Sequence, residues 1–300
     1  MPVVKLKIVE KFEVPPGSCS PSLLLDSDPP EIIKILRLLS GTAHLRNDET
    51  DEILYQAQKN FINPGDDITL DGIDRILDYV FEDRPTEPEL IALFRKAGIL
   101  NKGFYIEVLA ELGFLLKSVG DGKFTESFLY IYRILERISV ACPLIYISNE
   151  KDFRTAYSFL SSIYEDKKAQ GELIMLQRFL QHYSGLNDSF AGATLDFSLA
   201  ELEGDLAIEL IDEFKTIIVP EVKSLVIDEE NGTISVPFKD VGSFVVTVRN
   251  RTFHNLGARA NFNLSRIGGS EPLFALLVPT LIYWFSYVFV DFAKWQISKA

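Results

Sequence analysis

The chain has 300 residues, and 47% of them are apolar, so it can bury a sizeable core and is not globally disordered. Its net charge of −13 argues against indiscriminate binding to nucleic acid or anionic membranes, but leaves room for a local cationic site. Cys19 and Cys142 form no CxxC pair and no cluster with histidine, which argues against structural zinc and a disulfide framework. No cofactor motif is present, so neither a metal nor another cofactor is expected. The N-terminus lacks a signal-peptide pattern, so a cytoplasmic location is expected.

Residues 1–118 are predicted to form a small, mostly helical module that regulates activity or binds a partner. Alternating apolar and polar residues within 1–14 predict a strand. The polar stretch around His44 is expected to be an exposed loop. Apolar residues at helical spacing predict four helices: residues 31–39, a segment through Ile53 and Tyr55, residues 70–81, and a helix capped by Thr86 that ends near Gly98.

A longer and more apolar set of helices follows, and residues 119–300 are predicted to form a second domain. The predicted helices cover residues 103–116, 124–147, 153–164, 172–183 and 199–214. Pro143 is expected to interrupt or end the helix over residues 124–147. Asn231-Gly232 predicts a short β-hairpin.

The final apolar segment, residues 273–290, carries no charge over 18 residues and reaches the lower length limit of a membrane span. Pro279 is interpreted as a first-turn residue, which leaves an apolar helix of about a dozen residues. A buried helix is therefore favoured over a membrane anchor. Burial across a twofold interface and burial within one monomer remain equally open.

Arg249 and His254 stand in a segment that is unusual for such an acidic chain. Residues 241–270 contain four arginines, one histidine and no Asp or Glu, although acidic residues outnumber basic ones 43 to 30 overall. Such a segment predicts a local positive site that can receive a phosphodiester. Positions five apart on a helix point about 140° apart, so both side chains face one groove only if the helix frays or the side chains reach around it.

The residue types in this segment suit metal-independent cleavage of RNA. Histidine transfers protons near neutral pH, and the guanidinium fork holds phosphate oxygens. In this hypothesis His254 takes the proton from the 2′-hydroxyl or gives one to the leaving oxygen, while Arg249 stabilises charge on the phosphoryl group. Supporting or phosphate-binding roles are predicted for Asn250, Arg251, Asn255 and Arg259. The alternative is that the segment is a solvated or partner-facing basic surface without chemistry.

Arg249-Asn250, three further residues and then His254-Asn255, late in a helical chain, resemble the signature of the HEPN family. That signature is an arginine, often followed by Asn, Asp or His, with four to six residues before a histidine. Tyr132, Arg133 and Glu136 resemble an element of an early helix in several HEPN proteins, and Arg133 and Glu136 are candidates for the border of the cleft. The resemblance covers residues 120–300.

The resemblance implies a mainly α fold: a HEPN-like helical bundle, here with a short β-hairpin insertion, joined to the small N-terminal module. It implies a homodimer in which two motifs face one cleft, and an endoribonuclease that leaves a 2′,3′-cyclic phosphate and a 5′-hydroxyl. Many family members cleave tRNA or other cellular RNA in anti-phage defence, abortive infection or toxin–antitoxin systems. The expected partners are therefore RNA, a second copy, and an antitoxin or sensor protein.

Two other functions remain open. The first is that the chain is a non-catalytic HEPN-like component of a multi-protein defence system. In that case its arginines bind RNA, nucleotide or a partner. The last alternative is a helical protein attached to the membrane by the final helix, and this one is disfavoured for the reasons given above.

Overall fold

The structure is a computed structural model that describes residues 5–164, 172–184, 190, 192–200, 202, 205–254 and 260–297. It is mainly helical, with 59% helix and 10% strand, which confirms the predicted helical class. The chain packs as two compact units: Met1–Tyr130 with Phe285–Ala300, and Ile131–Trp284. Both bounds, after Tyr130 and after Trp284, fall inside long helices, whereas the predicted division lies between residues 118 and 119.

The first unit contains a three-stranded antiparallel sheet. Its strands are β1 (Leu6–Glu10), β2 (Ala43–Asn47) and β3 (Ile53–Tyr55), in the order β1-β2-β3. The prediction of a helix through Ile53 and Tyr55 was therefore wrong. Ala43 and Leu45 are buried on alternate positions of β2, which is the periodicity of a strand with one face in the core.

Four helices accompany this sheet: α1 (Glu31–Leu39), α2 (Gly72–Val80), α3 (Glu87–Ala97) and α4 (Lys102–Gly120). Each lies where helical spacing predicted one. The predicted cap at Thr86 is present as a capping box, in which the side chains and backbones of Thr86 and Glu89 cap one another.

The second unit holds most of α5 (Phe124–Asn149), followed by α6 (Phe153–Tyr164) and α7 (Glu172–Ser184). The prediction that Pro143 ends or interrupts α5 was wrong, because the helix continues to Asn149. His182 on α7 lies among aromatic rings, with Phe159 at 4.7 Å and Tyr146 at 5.5 Å between ring centroids. This cluster helps to hold α5, α6 and α7 together.

A second antiparallel sheet lies in the same unit, with strands β4 (Thr194–Ser198), β5 (Val226–Asp228) and β6 (Thr233–Pro237) in the order β4-β6-β5. The β5–β6 pair is the predicted hairpin. It is not an isolated insertion, because β4 pairs with its other edge. Helix α8 (Leu206–Glu213) begins later than predicted and continues as π-helix over Phe214–Ile218.

The last two helices are α9 (Val241–Phe253) and α10 (Ser270–Ile297). Pro279 lies inside α10 and not in its first turn, so that prediction was wrong. Within the part of the chain that the structure describes, α10 is the one helix long and apolar enough to cross a membrane by length and composition, and 67% of its most apolar window is buried. Tyr287 is its exposed large aromatic residue.

Candidate functional site

Helix α9 carries Arg249 and is anchored by its own apolar face. Val241, Phe244, Val245 and Val248 recur at helical spacing and are fully buried. Phe244 stacks on Phe197 of β4 at 5.4 Å between ring centroids. Because this face packs in the core, it fixes the position of the polar residues that follow Val248 on the helix.

The chain leaves the helical path immediately before His254. Helix α9 ends at Phe253, and His254 has extended backbone angles, with φ −108° and ψ 114°. Its N–H still bonds to the Asn250 carbonyl oxygen at 3.2 Å, so the turn is tight. The side chain is thereby freed from the 140° offset that a continuous helix would impose on positions five apart.

The Arg249 and His254 side chains meet at this helix end. Arg249 Nη1 contacts His254 Nε2 directly. Arg249 is half-buried and His254 is exposed, so the pair lies at the surface and outside the hydrophobic packing. A guanidinium N–H only donates, so Nε2 carries the lone pair in this contact and a neutral ring has its proton on Nδ1.

Two further side chains orient Arg249. The same Nη1 donates to Asn250 Oδ1 at 3.1 Å. The guanidinium carbon lies 4.9 Å from the ring centroid of Tyr132 on α5, a cation–π distance. The orienting role predicted for Asn250 thus has a geometric basis. On α5, Arg133 is exposed and Glu136 is half-buried, and both are within one helical turn of Tyr132.

Arg251, for which a supporting or phosphate-binding role is predicted, lies away from the surface. Its side chain is 4% exposed and forms an ion pair with Glu221, which follows α8 in the chain. Sequence analysis missed this pair because Glu221 is 30 residues away and outside the acid-free segment. A guanidinium that is buried and neutralised cannot reach a phosphate on the surface.

A second arginine of the same segment is also neutralised by α8. Arg266 forms ion pairs with Glu209, Asp212 and Glu213. Among the described arginines of residues 241–270, Arg249 is the one for which no ion pair with a carboxylate occurs. Two predicted supporting residues, Asn255 and Arg259, lie outside the described residues.

The other two histidines occupy different environments from His254. His44 is half-buried in β2, where Nδ1 accepts the Ala57 N–H at 3.0 Å, so its predicted exposure in a loop was wrong. Burial, followed by the charge of Lys11, lowers the pKa of His44. His182 Nε2 lies 3.2 Å from the Tyr146 hydroxyl, and burial lowers the pKa of His182.

Two cavities in the first unit, of about 510 and 1120 Å³, are lined by neither Arg249 nor His254. In the part of the chain that the structure describes, no group of three or more His, Cys, Asp or Glu side chains is arranged to hold a metal ion. The chain matches no protein-family model, no curated protein and no solved structure. Among the described residues, Arg249 and His254 therefore form the candidate site.

Proposed function

We propose that the protein is a metal-independent endoribonuclease of the HEPN type, with Arg249 and His254 as its catalytic residues. The observation that carries this proposal is the direct contact between the Arg249 guanidinium and the imidazole of His254 at an exposed helix end. These are the two groups that an RNA-cleaving site without a metal needs: one that moves a proton near neutral pH, and one that holds a charged phosphoryl group.

The proposed reaction is an internal transesterification that needs no co-reactant. The ribose 2′-oxygen attacks the adjacent phosphorus and loses its proton, and the bond from phosphorus to the 5′-oxygen breaks. The leaving 5′-oxygen takes up a proton, so the products are a 2′,3′-cyclic phosphate and a 5′-hydroxyl. His254 moves a proton at one of these two oxygens, and Arg249 stabilises the charge that develops on the non-bridging oxygens.

We assign the proton-abstracting role to His254. Its Nε2 points its lone pair at Arg249, so an RNA phosphate that displaces this contact and binds the guanidinium would bring its 2′-hydroxyl close to a base. Asn250 and Tyr132 hold the guanidinium from the other sides and reduce the entropy lost on binding.

The proposal extends to partners and setting. The substrate is cellular RNA, with tRNA as one candidate, and the protein acts in the cytoplasm as a defence or toxin effector under the control of an antitoxin or sensor. We also propose a homodimer. For its surface we propose α5 and α6, where Leu144 and Tyr157 are exposed, rather than α10, whose apolar window is mostly buried.

One observation favours the non-catalytic alternative. The Nε2 lone pair already accepts an N–H of Arg249, so substrate must displace that contact before His254 can act as a base. A binding component that uses Arg249 for RNA, nucleotide or a partner has no such requirement. The two functions differ in one result, which is whether the purified chain cuts RNA.

The test incubates total cellular RNA with the wild-type chain and with His254→Ala, with and without EDTA. We expect the wild type to produce ends with 2′,3′-cyclic phosphates in both buffers, and His254→Ala to produce none while it keeps its circular dichroism spectrum. Arg249→Ala is expected to lose cleavage as well. Arg95→Ala, which removes an exposed arginine of α3, is the matched control and is expected to cut normally.

Three results would reject this mechanism: full activity of His254→Ala, loss of activity in EDTA, or products with a 3′-hydroxyl. Tight binding of RNA by the wild type without cleavage would support the non-catalytic alternative. Expression of the same variants in cells gives a parallel readout, because a toxin effector arrests growth only when His254 is intact.

A further inference from the structure

An exposed aromatic residue directly precedes His254 of the proposed catalytic pair in the chain. Phe253 is the last residue of α9 and directly precedes His254. It is 39% exposed, although it is a large apolar side chain. The pair of residues Phe253 and His254 therefore presents a flat apolar ring and an imidazole side by side in the chain, both accessible to solvent.

The Phe253 ring is held in place by the core. It stacks on Phe274 of α10, with 5.7 Å between the ring centroids and 2° between the ring planes. Phe274 is fully buried, so it fixes the plane of Phe253. A ring that is partly exposed and already oriented loses little conformational freedom when a flat ligand binds to it.

The charge of Arg249, on the same helix as Phe253, indicates which class of ligand this site would bind. Arg249, five residues before His254, is the described arginine of this segment without a carboxylate partner. An aromatic ring next to a cationic group that holds phosphate is the combination with which proteins bind single-stranded nucleic acid, since bases stack on rings while phosphates meet cations. An apolar peptide would leave the arginine unmatched, and a duplex would keep its bases stacked away from the ring.

We propose that Phe253 is a specificity-determining residue on which the base of a nucleotide flanking the scissile phosphate stacks. This inference rests on the proposed function, since it assumes that RNA is bound at Arg249 and His254. It has two consequences. The nucleotide at that position must be unpaired, and purines are favoured there over uridine because their larger rings stack more strongly.

The experiment measures binding of uncleavable probes, so that it does not depend on catalysis. Single-stranded oligonucleotides of about ten nucleotides carry 2′-O-methyl riboses, which cannot attack the phosphorus, and a fluorophore for anisotropy. An abasic nucleotide replaces adenosine at each position in turn. We expect one position at which loss of the base weakens binding to the wild type about tenfold, equivalent to about 1.4 kcal/mol.

The protein variants then assign this effect to Phe253. In Phe253→Leu, the same abasic replacement is expected to change the dissociation constant by less than about twofold, while Phe253→Tyr keeps the tenfold effect. Phe12→Leu is the matched control, since Phe12 is a half-buried phenylalanine shortly after β1, and it is also expected to keep the effect. Phe253→Met retains an apolar contact for Phe274 and replaces the leucine variant if that one fails to fold.

The outcomes separate this inference from the nuclease proposal. A wild type that binds every abasic probe as well as the parent, or binds no probe, overturns the role of Phe253. So does retention of the tenfold effect in both Phe253→Leu and Phe253→Met. If the base effect is present but the wild type cuts no RNA, the nuclease proposal fails and the stacking role of Phe253 is supported.

Discussion

The ion pair between Arg251 and Glu221 offers a quantitative test of which arginine of α9 is structural. The Arg251 side chain is 4% exposed, whereas that of Glu221 is 34% exposed. Removal of Glu221 strands a guanidinium that water cannot reach, and Arg251 Nη1 already lacks a hydrogen-bond partner among the described residues. Breaking a buried pair costs about 3–5 kcal/mol, and the partial exposure of Glu221 places Glu221→Ala at about 3 kcal/mol.

The reverse substitution is expected to cost less. Arg251→Met removes the buried charge itself and fills the space with an apolar side chain, while the Glu221 carboxylate keeps its access to water. We expect a loss of about 1 kcal/mol. This asymmetry follows from the unequal burial of the two partners.

The assay is urea-induced unfolding followed by circular dichroism, with the free energy of unfolding as the readout. Glu229→Ala is the matched control, since it breaks an exposed pair with Lys215 and is expected to cost less than about 1 kcal/mol. If Arg251→Met costs as much as Glu221→Ala, the reasoning from unequal burial is wrong. If folded Arg251→Met loses RNA cleavage that the wild type performs, Arg251 is not merely structural.

Three further predictions address the site, the core and the proposed dimer. Tyr132→Leu removes the ring beneath Arg249 and is expected to slow cleavage about two- to fivefold in a single-turnover assay, whereas Tyr132→Phe retains the wild-type rate. Because burial lowers the pKa of His182, the unfolded chain binds a proton there that the folded chain does not. Stability is therefore expected to fall as the pH drops below about 6.5, and His182→Gln should show a shallower fall in thermal denaturation. Glutamate at Leu144 and Tyr157 is expected to convert the proposed dimer to monomer in light scattering; a monomeric wild type would reject that interface.

Local signals predicted much of the helical structure. The spacing of apolar residues located α1 with its observed bounds, and Thr86 as N-cap located the start of α3. These signals act within one or two turns of helix, so they are readable from the sequence directly. The proximity of Arg249 and His254 was conditional on a helix end between them, and the structure contains that end.

Interactions between distant segments account for what the sequence did not predict. The strand β2 lies in the polar stretch around His44, and its partner β1 is more than thirty residues earlier, so no local pattern shows the pairing. Pro143 and Pro279 lie inside long helices that packing sustains in spite of the missing hydrogen bond. Phe253 shows its significance only through the parallel ring of Phe274, which is 21 residues later.

The distribution of charge also explains how a protein with a net charge of −13 can present a cationic site. Within the described part of the acid-free segment, carboxylates on and after α8 neutralise Arg251 and Arg266. These pairs hold the segment against its own unit and leave Arg249 at the helix end to meet a ligand. Because the protein is acidic overall, the described cation Arg249 beside an imidazole would attract a phosphate only at short range. We therefore expect binding to depend on contacts made at the site and to show a weaker salt dependence than a broad basic surface would produce.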